Sequence, residues 1–266
     1  MIVLHNNKFV KDAKVSATGS FGRGYGIFET IRTFNDKELP LLDKHLKRFS
    51  ESAKKINLKL KYSKKEIGEM IKKVTKKSPH KIQRIKLMAT AEDLIIFSVK
   101  AKINPNIYNG VSLISTKISR SLPEVKSISY LPSFLAHKNA IKKSYFDALL
   151  INEKEEVFEA AYANIFWFEG NILCTRKDKI LAGITREVVI KNSPFKIKFK
   201  NIKLKDLKKK SEIFITQSIN LIVPITKIDN KKIGTGKPGT KTKKIIEKLK
   251  LILKNSSKPL QNQKLP

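Results

Sequence analysis

A chain of 266 residues with 41% hydrophobic content can bury a sizeable core, as one large domain or two modest ones. No apolar run approaches the ~18 residues that cross a bilayer, the N-terminal segment lacks the basic-then-apolar order of a signal peptide, and the lone Cys174 excludes an internal disulfide, so a cytoplasmic protein without a membrane partner is expected. The formal charge of +33 comes almost wholly from lysine, while arginine, the residue suited to bidentate phosphate or guanine recognition, occurs seven times, so no specific nucleic-acid partner is expected.

Ile2-Val3-Leu4 reads as a strand that turns back through Asn6-Asn7. Gly26–Phe34, with near-alternating apolar positions, reads as another, followed by a turn at Asn35-Asp36-Lys37. From Asp43 the period becomes helical, with Leu46, Phe49, Ala53 and Ile56 on one face. Ser63 offers an N-cap for a helix over Lys64–Lys77, whose apolar stripe is Ile67, Ile71 and Val74. Residues 82–100 return to strand character around a turn at Ala91-Glu92-Asp93. Pro105 to Gly110 marks a crossing into a second lobe.

Val111–Thr116 then reads as a strand, 131–145 as a helix and Ala148–Asn152 as a strand. Val157–Glu159 and Ala163–Phe168 read as a strand pair closed by a turn at Glu169-Gly170-Asn171. Thr185–Ser193 is expected to be helical, and Lys196–Ile202 and Glu212–Thr216 extended. The resulting division is an N-terminal α/β lobe over 1–115, a C-terminal lobe over 116–254 and a tail over 255–266 of disordered composition.

Gly22-Arg23-Gly24-Tyr25-Gly26 has the glycine density of a phosphate loop. A dinucleotide or P-loop turn follows a strand and opens a helix, whereas this one runs into a strand. The glycines are expected to serve a tight turn or bulge. The four histidines form no metal-ligand spacing with Asp, Glu or Cys174, so no metal is expected.

An ordered set of segments carries more. Gly24–Arg32 (GYGIFETIR) is followed by His45–Phe49 (HLKRF), Lys126–Leu131 (KSISYL) and Glu159–Phe166 (EAAYANIF). Leu181–Arg186 (LAGITR), Phe214–Ser218 (FITQS) with Val223-Pro224-Ile225, and Ile233–Gly239 (IGTGKPG) complete it. In this order the segments resemble the class IV aminotransferases, the fold-type IV pyridoxal-phosphate enzymes. Branched-chain and D-amino-acid aminotransferases and 4-amino-4-deoxychorismate lyases form that group.

The resemblance implies an α+β fold with two lobes, a small N-terminal α/β sandwich and a larger C-terminal barrel-like domain, with pyridoxal 5'-phosphate in the cleft. It implies that Lys126 forms the cofactor's Schiff base and later moves the substrate proton, and that Glu159 faces the pyridine nitrogen. Arg48, the Ile184-Thr185 amides at the start of a helix, and Ser218-Ile219 are implied for the phosphate, and Tyr130 for the ring oxygen. Asn164 reads as mainly structural. A homodimer acting on an amino acid and a 2-oxo acid is the implied assembly and substrate class.

The chain departs from the pattern after Arg84–Leu87, where Ala89–Asp93 leaves only a short turn. The arginine loop of the D-amino-acid enzymes is missing there, and the branched-chain Tyr-x-Arg signature is not evident. Asn164–Asn171 and Thr216–Ile219 are closer to the lyase branch. Amino-group transfer is the favoured activity. Release of pyruvate from 4-amino-4-deoxychorismate, giving 4-aminobenzoate, is the alternative. A basic nucleic-acid-associated protein on an inactive scaffold is the remote one, opposed by intact Lys126, Glu159 and Arg48.

Overall fold

A computed structural model of the protein describes residues 1–34 and 36–255. Asn35, expected in a turn, and the expected tail beyond Asn255 lie outside the described residues. Backbone contacts divide the described chain into Met1–Ala101 with Glu247–Asn255, and Lys102–Ile246. This division falls earlier than 115, because the strand Val111–Lys117 pairs on both sides with strands of the second unit.

In the first unit β1 (Ile2–His5), β2 (Lys8–Val10), β3 (Ile27–Arg32), β4 (Gln83–Ala89) and β5 (Leu94–Lys100) form an antiparallel sheet in the order β2-β1-β5-β4-β3. The β1–β2 hairpin turns where expected, with Asn6 and Asn7 at φ 45 and 66, a region asparagine tolerates better than most residues. In β3 the residues alternate, so that Ile27, Glu29 and Ile31 are buried. The loop into β3 is the tight turn expected: Gly24 has φ 67, and a Cβ at Gly22 would overlap the Ala17 carbonyl.

Helices α1 (Leu42–Lys55) and α2 (Lys64–Lys77) bury Leu46, Phe49 and Ala53, and Ile67, Ile71 and Val74, as read from the sequence, whereas Ile56, expected on the first helix's apolar face, lies just past its end as the C-cap and is half-buried. The helix α2 starts with a complete capping box, in which the Ser63 hydroxyl accepts from Glu66 N and Glu66 Oε2 accepts from Ser63 N.

The second unit contains a larger, curled sheet with β11 (Lys196–Phe199), β10 (Ile172–Thr175), β9 (Asn164–Glu169), β12 (Ile213–Gln217), β13 (Leu221–Ile228), β6 (Val111–Lys117), β7 (Asp147–Ile151) and β8 (Val157–Ala160) in that order. A short strand, β14 (Lys231–Lys232), extends β13. Its core holds Trp167, Ile165, Ile213 and Ile215, and Phe166 stacks on Phe214 at 4.9 Å between centroids, worth about 0.5–1.5 kcal/mol beyond area burial. Cys174 is fully buried in β10, which is paired on both sides by β9 and β11.

Three sequence expectations change here. The turn Glu169-Gly170-Asn171 joins β9 to β10, while β8 pairs with β7 instead of β9. Helix α3 (Leu131–Lys142) stops short of 145 because Ser144 turns to φ 63 and Tyr145 N donates back to the Ala140 carbonyl. The strand expected over Lys196–Ile202 ends at Phe199, where its partner β10 ends at Thr175.

Two more helices follow in chain order, α4 (Ile184–Asn192) and the short α5 (Leu204–Leu207), before α6 (Thr240–Asn255). The first turn of α6 is capped by the buried carboxylate of Glu212. It accepts from Thr242 N and Oγ1, both at 2.8 Å, and from Lys241 N at 3.3 Å. Gly239 is glycine for this reason, since a Cβ there would overlap the Glu212 carboxylate.

Candidate active site

Strand β8 puts Glu159 one residue from its end, with its side chain 5% exposed. A tight turn follows, in which Ala160 N bonds to the Ala163 carbonyl and Tyr162 N to Asp147 Oδ2. It returns the chain so that Asn164, first in β9, faces the same carboxylate. Asn164 Nδ2 donates to Glu159 Oε2 and to the Leu181 carbonyl, each at 2.9 Å. Leu181 N donates to Glu159 Oε2 at 3.2 Å. Arg120 Nη1 completes the set on Oε1 at 2.7 Å.

Burial pushes the Glu159 carboxyl above the usual carboxylate range, against the opposing pull of Arg120, the Leu181 amide and the Lys126 charge. Lys126 therefore lies within the electrostatic field of Glu159, and the residue before it, Val125, accepts from Arg120 Nη2 at 3.0 Å. Lys126 and Glu159, far apart in sequence, belong to one constellation. Tyr130 is half-buried where α3 begins, with its ring edge-on to Phe134.

A second group of donors adjoins the first. Helix α4 begins at Ile184 with Gly183 as N-cap and no side-chain cap on its first amides. A Cβ at Gly183 would overlap Asn164 Oδ1, so the helix start is held against the Glu159 network. Thr185 Oγ1 donates to the Gln217 carbonyl at 3.1 Å, which joins this helix start to the β12–β13 turn carrying Ser218 and Ile219. In the register of β12 and β9, Thr216 sits opposite Asn164. Its hydroxyl is buried with no hydrogen-bond partner, a state that costs about 1–3 kcal/mol unless an acceptor arrives.

An amine, an anion held in low dielectric, and a helix start with orphaned donors beside it are the three things a phosphorylated pyridine aldehyde needs. The second unit has all three. Ile184, Thr185, Ser218 and Ile219 are brought together, and Lys126 and Glu159 are brought together. Among the described residues no cluster of His, Cys, Asp and Glu is arranged to hold a metal ion, and no helix is long and apolar enough to cross a membrane.

Arg48 lies in the first unit, on α1. Its Nε and Nη2 donate to Glu29 at 2.7 and 2.8 Å, and His45 Nδ1 meets the same carboxylate at 2.9 Å. Two of the sequence segments, GYGIFETIR and HLKRF, thus form one buried ion cluster. The assignment of Arg48 to the phosphate rests on the resemblance alone.

Sequence reasoning missed Arg120, the Leu181 amide and the Thr216 hydroxyl. The last two carry no sequence signal. Arg120 did: a chain whose cations are so largely lysine keeps an arginine where the planar fork is used. Of the seven arginines, Arg176 and Arg186 also serve in this way, bonding to the Val157 and Arg176 carbonyls.

The sequence profile of the family described as amino-transferase class IV matches residues 26–228. A putative branched-chain-amino-acid aminotransferase of Methanocaldococcus jannaschii is 32% identical, over 94% of this chain and 96% of its own. A D-alanine aminotransferase of Listeria monocytogenes is 28% identical over 90% and 91%. Among solved structures, a T.th. branched-chain amino acid aminotransferase complexed with N-(5'-phosphopyridoxyl)-L-glutamate shares the fold at TM-score 0.88 and 22% identity. The alignment covers 97% of this chain and 95% of that one. The branched-chain aminotransferase of Thermoproteus uzoniensis gives TM-score 0.88 at 25% identity, over 97% and 96%. The chain belongs to the class IV aminotransferase family and is an aminotransferase that uses pyridoxal 5'-phosphate.

Proposed function

We propose that Lys126 is the amine that holds the cofactor covalently and that Glu159 is the anion that faces its ring nitrogen. Amino-group exchange between an amino acid and a 2-oxo acid would run at this pair. The observation that supports it most directly is the Glu159 constellation: a buried carboxylate fixed by Arg120, Asn164 and Leu181, within the field of Lys126. When bound, pyridoxal phosphate supplies an aldehyde that takes up amines and a ring that accepts electrons.

The residues supply the rest. Glu159 would hold the ring nitrogen, and its burial would limit screening of that contact by water. As a free amine, Lys126 Nζ would be the base for the proton on the substrate α-carbon and would return it. The first amides of α4, the Thr216 hydroxyl, Ser218 and the amide of Ile219 bind the phosphate. Tyr130 adds a phenol near the ring oxygen.

The reading includes a homodimer in a reducing, cytoplasmic setting, which suits the single buried thiol. Helix α3 leaves Leu131 at 62% and Ile141 at 52% exposure, apolar surface that a second copy would cover.

Borohydride reduction of the cofactor-loaded protein, followed by peptide mapping, tests the assignment. The expected product is a pyridoxyl group on Lys126 and none in Lys126→Ala, with both proteins sedimenting at twice 30.3 kDa. An adduct retained on another lysine in the variant removes Lys126 from the role, and a single-chain mass removes the dimer.

A further inference from the structure

We propose that Arg120 is a positioning residue for the transfer reaction. One guanidinium grips Glu159 Oε1 at 2.7 Å and the carbonyl of Val125 at 3.0 Å, and so sets the carboxylate against the residue that follows, Lys126. The inference rests on the roles given above to Lys126 and Glu159.

The segment that carries Lys126, between the end of β6 and the start of α3, lies outside the named strands and helices. Apart from an isolated bridge at Ser127, its backbone bonds at Ile118, Val125 and Tyr130 are short-range turns, to the carbonyls of Thr116, Leu122 and Ile128. Such a segment does not fix a side chain to the precision that proton transfer demands. Arg120 ties it to β8. The two bonds leave the guanidinium by different nitrogens in a fixed plane, and a lysine ammonium at the end of a flexible stem cannot reproduce that geometry. The Arg120 side chain is 16% exposed and the carboxylate it meets 5%, so the contact is poorly screened by water.

Arg120 also acts on charge. Among the described residues, cationic groups that act on Glu159 are Arg120 and Lys126 from the segment before α3, and Arg186 from α4. Burial drives the Glu159 carboxyl toward its neutral form, and Arg120 is the strongest opposing influence. A neutral Glu159 would donate or accept indifferently and would no longer favour a protonated ring nitrogen.

The test uses the cofactor-loaded full chain with Arg120→Lys and Arg120→Met. Both are expected to keep the borohydride-trapped adduct on Lys126. In Arg120→Lys, which keeps a charge but loses the fork, kcat should fall about 10-fold. In Arg120→Met it should fall on the order of 10²-fold, with KM for the amino acid changed much less. The acid limb of the kcat–pH profile should stay near its wild-type position in Arg120→Lys. In Arg120→Met it should move to higher pH by about one unit or more, because an opposite charge beside Glu159 is gone.

A wild-type kcat and an unmoved acid limb in Arg120→Met overturn the role of Arg120 while leaving Lys126 and Glu159 in theirs. Equal loss in both variants with no movement of the limb reduces Arg120 to packing, and likewise overturns it. Trapping on a different lysine in the wild-type protein instead overturns the reading beneath it.

Discussion

Each of the two units buries a glutamate against an arginine, and the two carboxylates titrate in opposite directions. Glu29 in the first unit is fully buried, as Glu159 is nearly so in the second. Burial alone would raise both. At Glu29 it is outweighed by Arg48, which donates from two nitrogens, and by His45, so the carboxyl is held far below the usual range. At Glu159 one arginine nitrogen, a side-chain amide and a backbone amide leave burial the winner.

The difference is the number of charged donors committed to the carboxylate. A closed cluster satisfies the anion and fixes α1 on β3. A partly compensated anion remains able to interact with something else. The first arrangement serves the fold and the second suits a reaction.

Substitution separates the two. Glu29→Gln removes the anion while the Arg48 guanidinium stays buried, and should destabilise the protein by about 3–5 kcal/mol at neutral pH. Urea unfolding reads this directly. Because the folded carboxyl of Glu29 sits below its unfolded value, its contribution is present above the ordinary glutamate range and fades as pH falls. The gap between wild type and variant should therefore narrow in acid. A loss within about 1 kcal/mol at neutral pH, or one independent of pH, breaks the comparison from the stability side.

Glu159→Gln should do the reverse. A carboxyl raised by folding contributes best at low pH and less as pH rises through its folded value, so removing its charge costs little fold stability near neutrality. Turnover should fall by on the order of 10²-fold, about 2.7 kcal/mol of transition-state stabilisation, with cofactor trapping retained. Near-normal kcat in the loaded variant would remove Glu159 from the ring nitrogen.

A third buried glutamate sharpens the scale. Glu212 meets two backbone amides and a hydroxyl, and among the described residues no cation bonds it. Glu212→Gln keeps an accepting oxygen at the start of α6 and should cost about 1 kcal/mol. A loss as large as that of Glu29→Gln would mean that burial, and not cation count, sets the penalty.

Much of this is legible in the sequence where one local rule decides. Ser63 and Glu66 mark the start of α2, and the alternation of Ile27, Glu29 and Ile31 marks β3. The ordered segments point to Lys126 and Glu159. The illegible parts are those where a neighbour decides. Strand β10 is four residues with no alternation, and its partners β9 and β11 give it form. Strand β13 contains Pro224, which argues against a central strand by rule. The residue is tolerated because pairing with β6 begins only at Ile225. Helix α6 has its stripe of Ile245, Leu249 and Leu253 buried, hidden in the sequence among lysines. The pairing of β8 with β7 escapes the sequence because the Ala160–Ala163 turn looks like a hairpin, whereas its role is to bring Asn164 to Glu159.

Cys174 turns the second unit's sheet into its own clock. Burial and the nearby Glu169 hold the thiol above its ordinary titration range, and β9 and β11 cover the strand on both sides. A thiol reagent must therefore wait for that edge of the sheet to open. With a single sulfhydryl in the whole chain, each modification event reports one opening. Its rate, followed with and without cofactor, measures how far occupancy of one end of the unit stiffens a strand that takes no part in the chemistry.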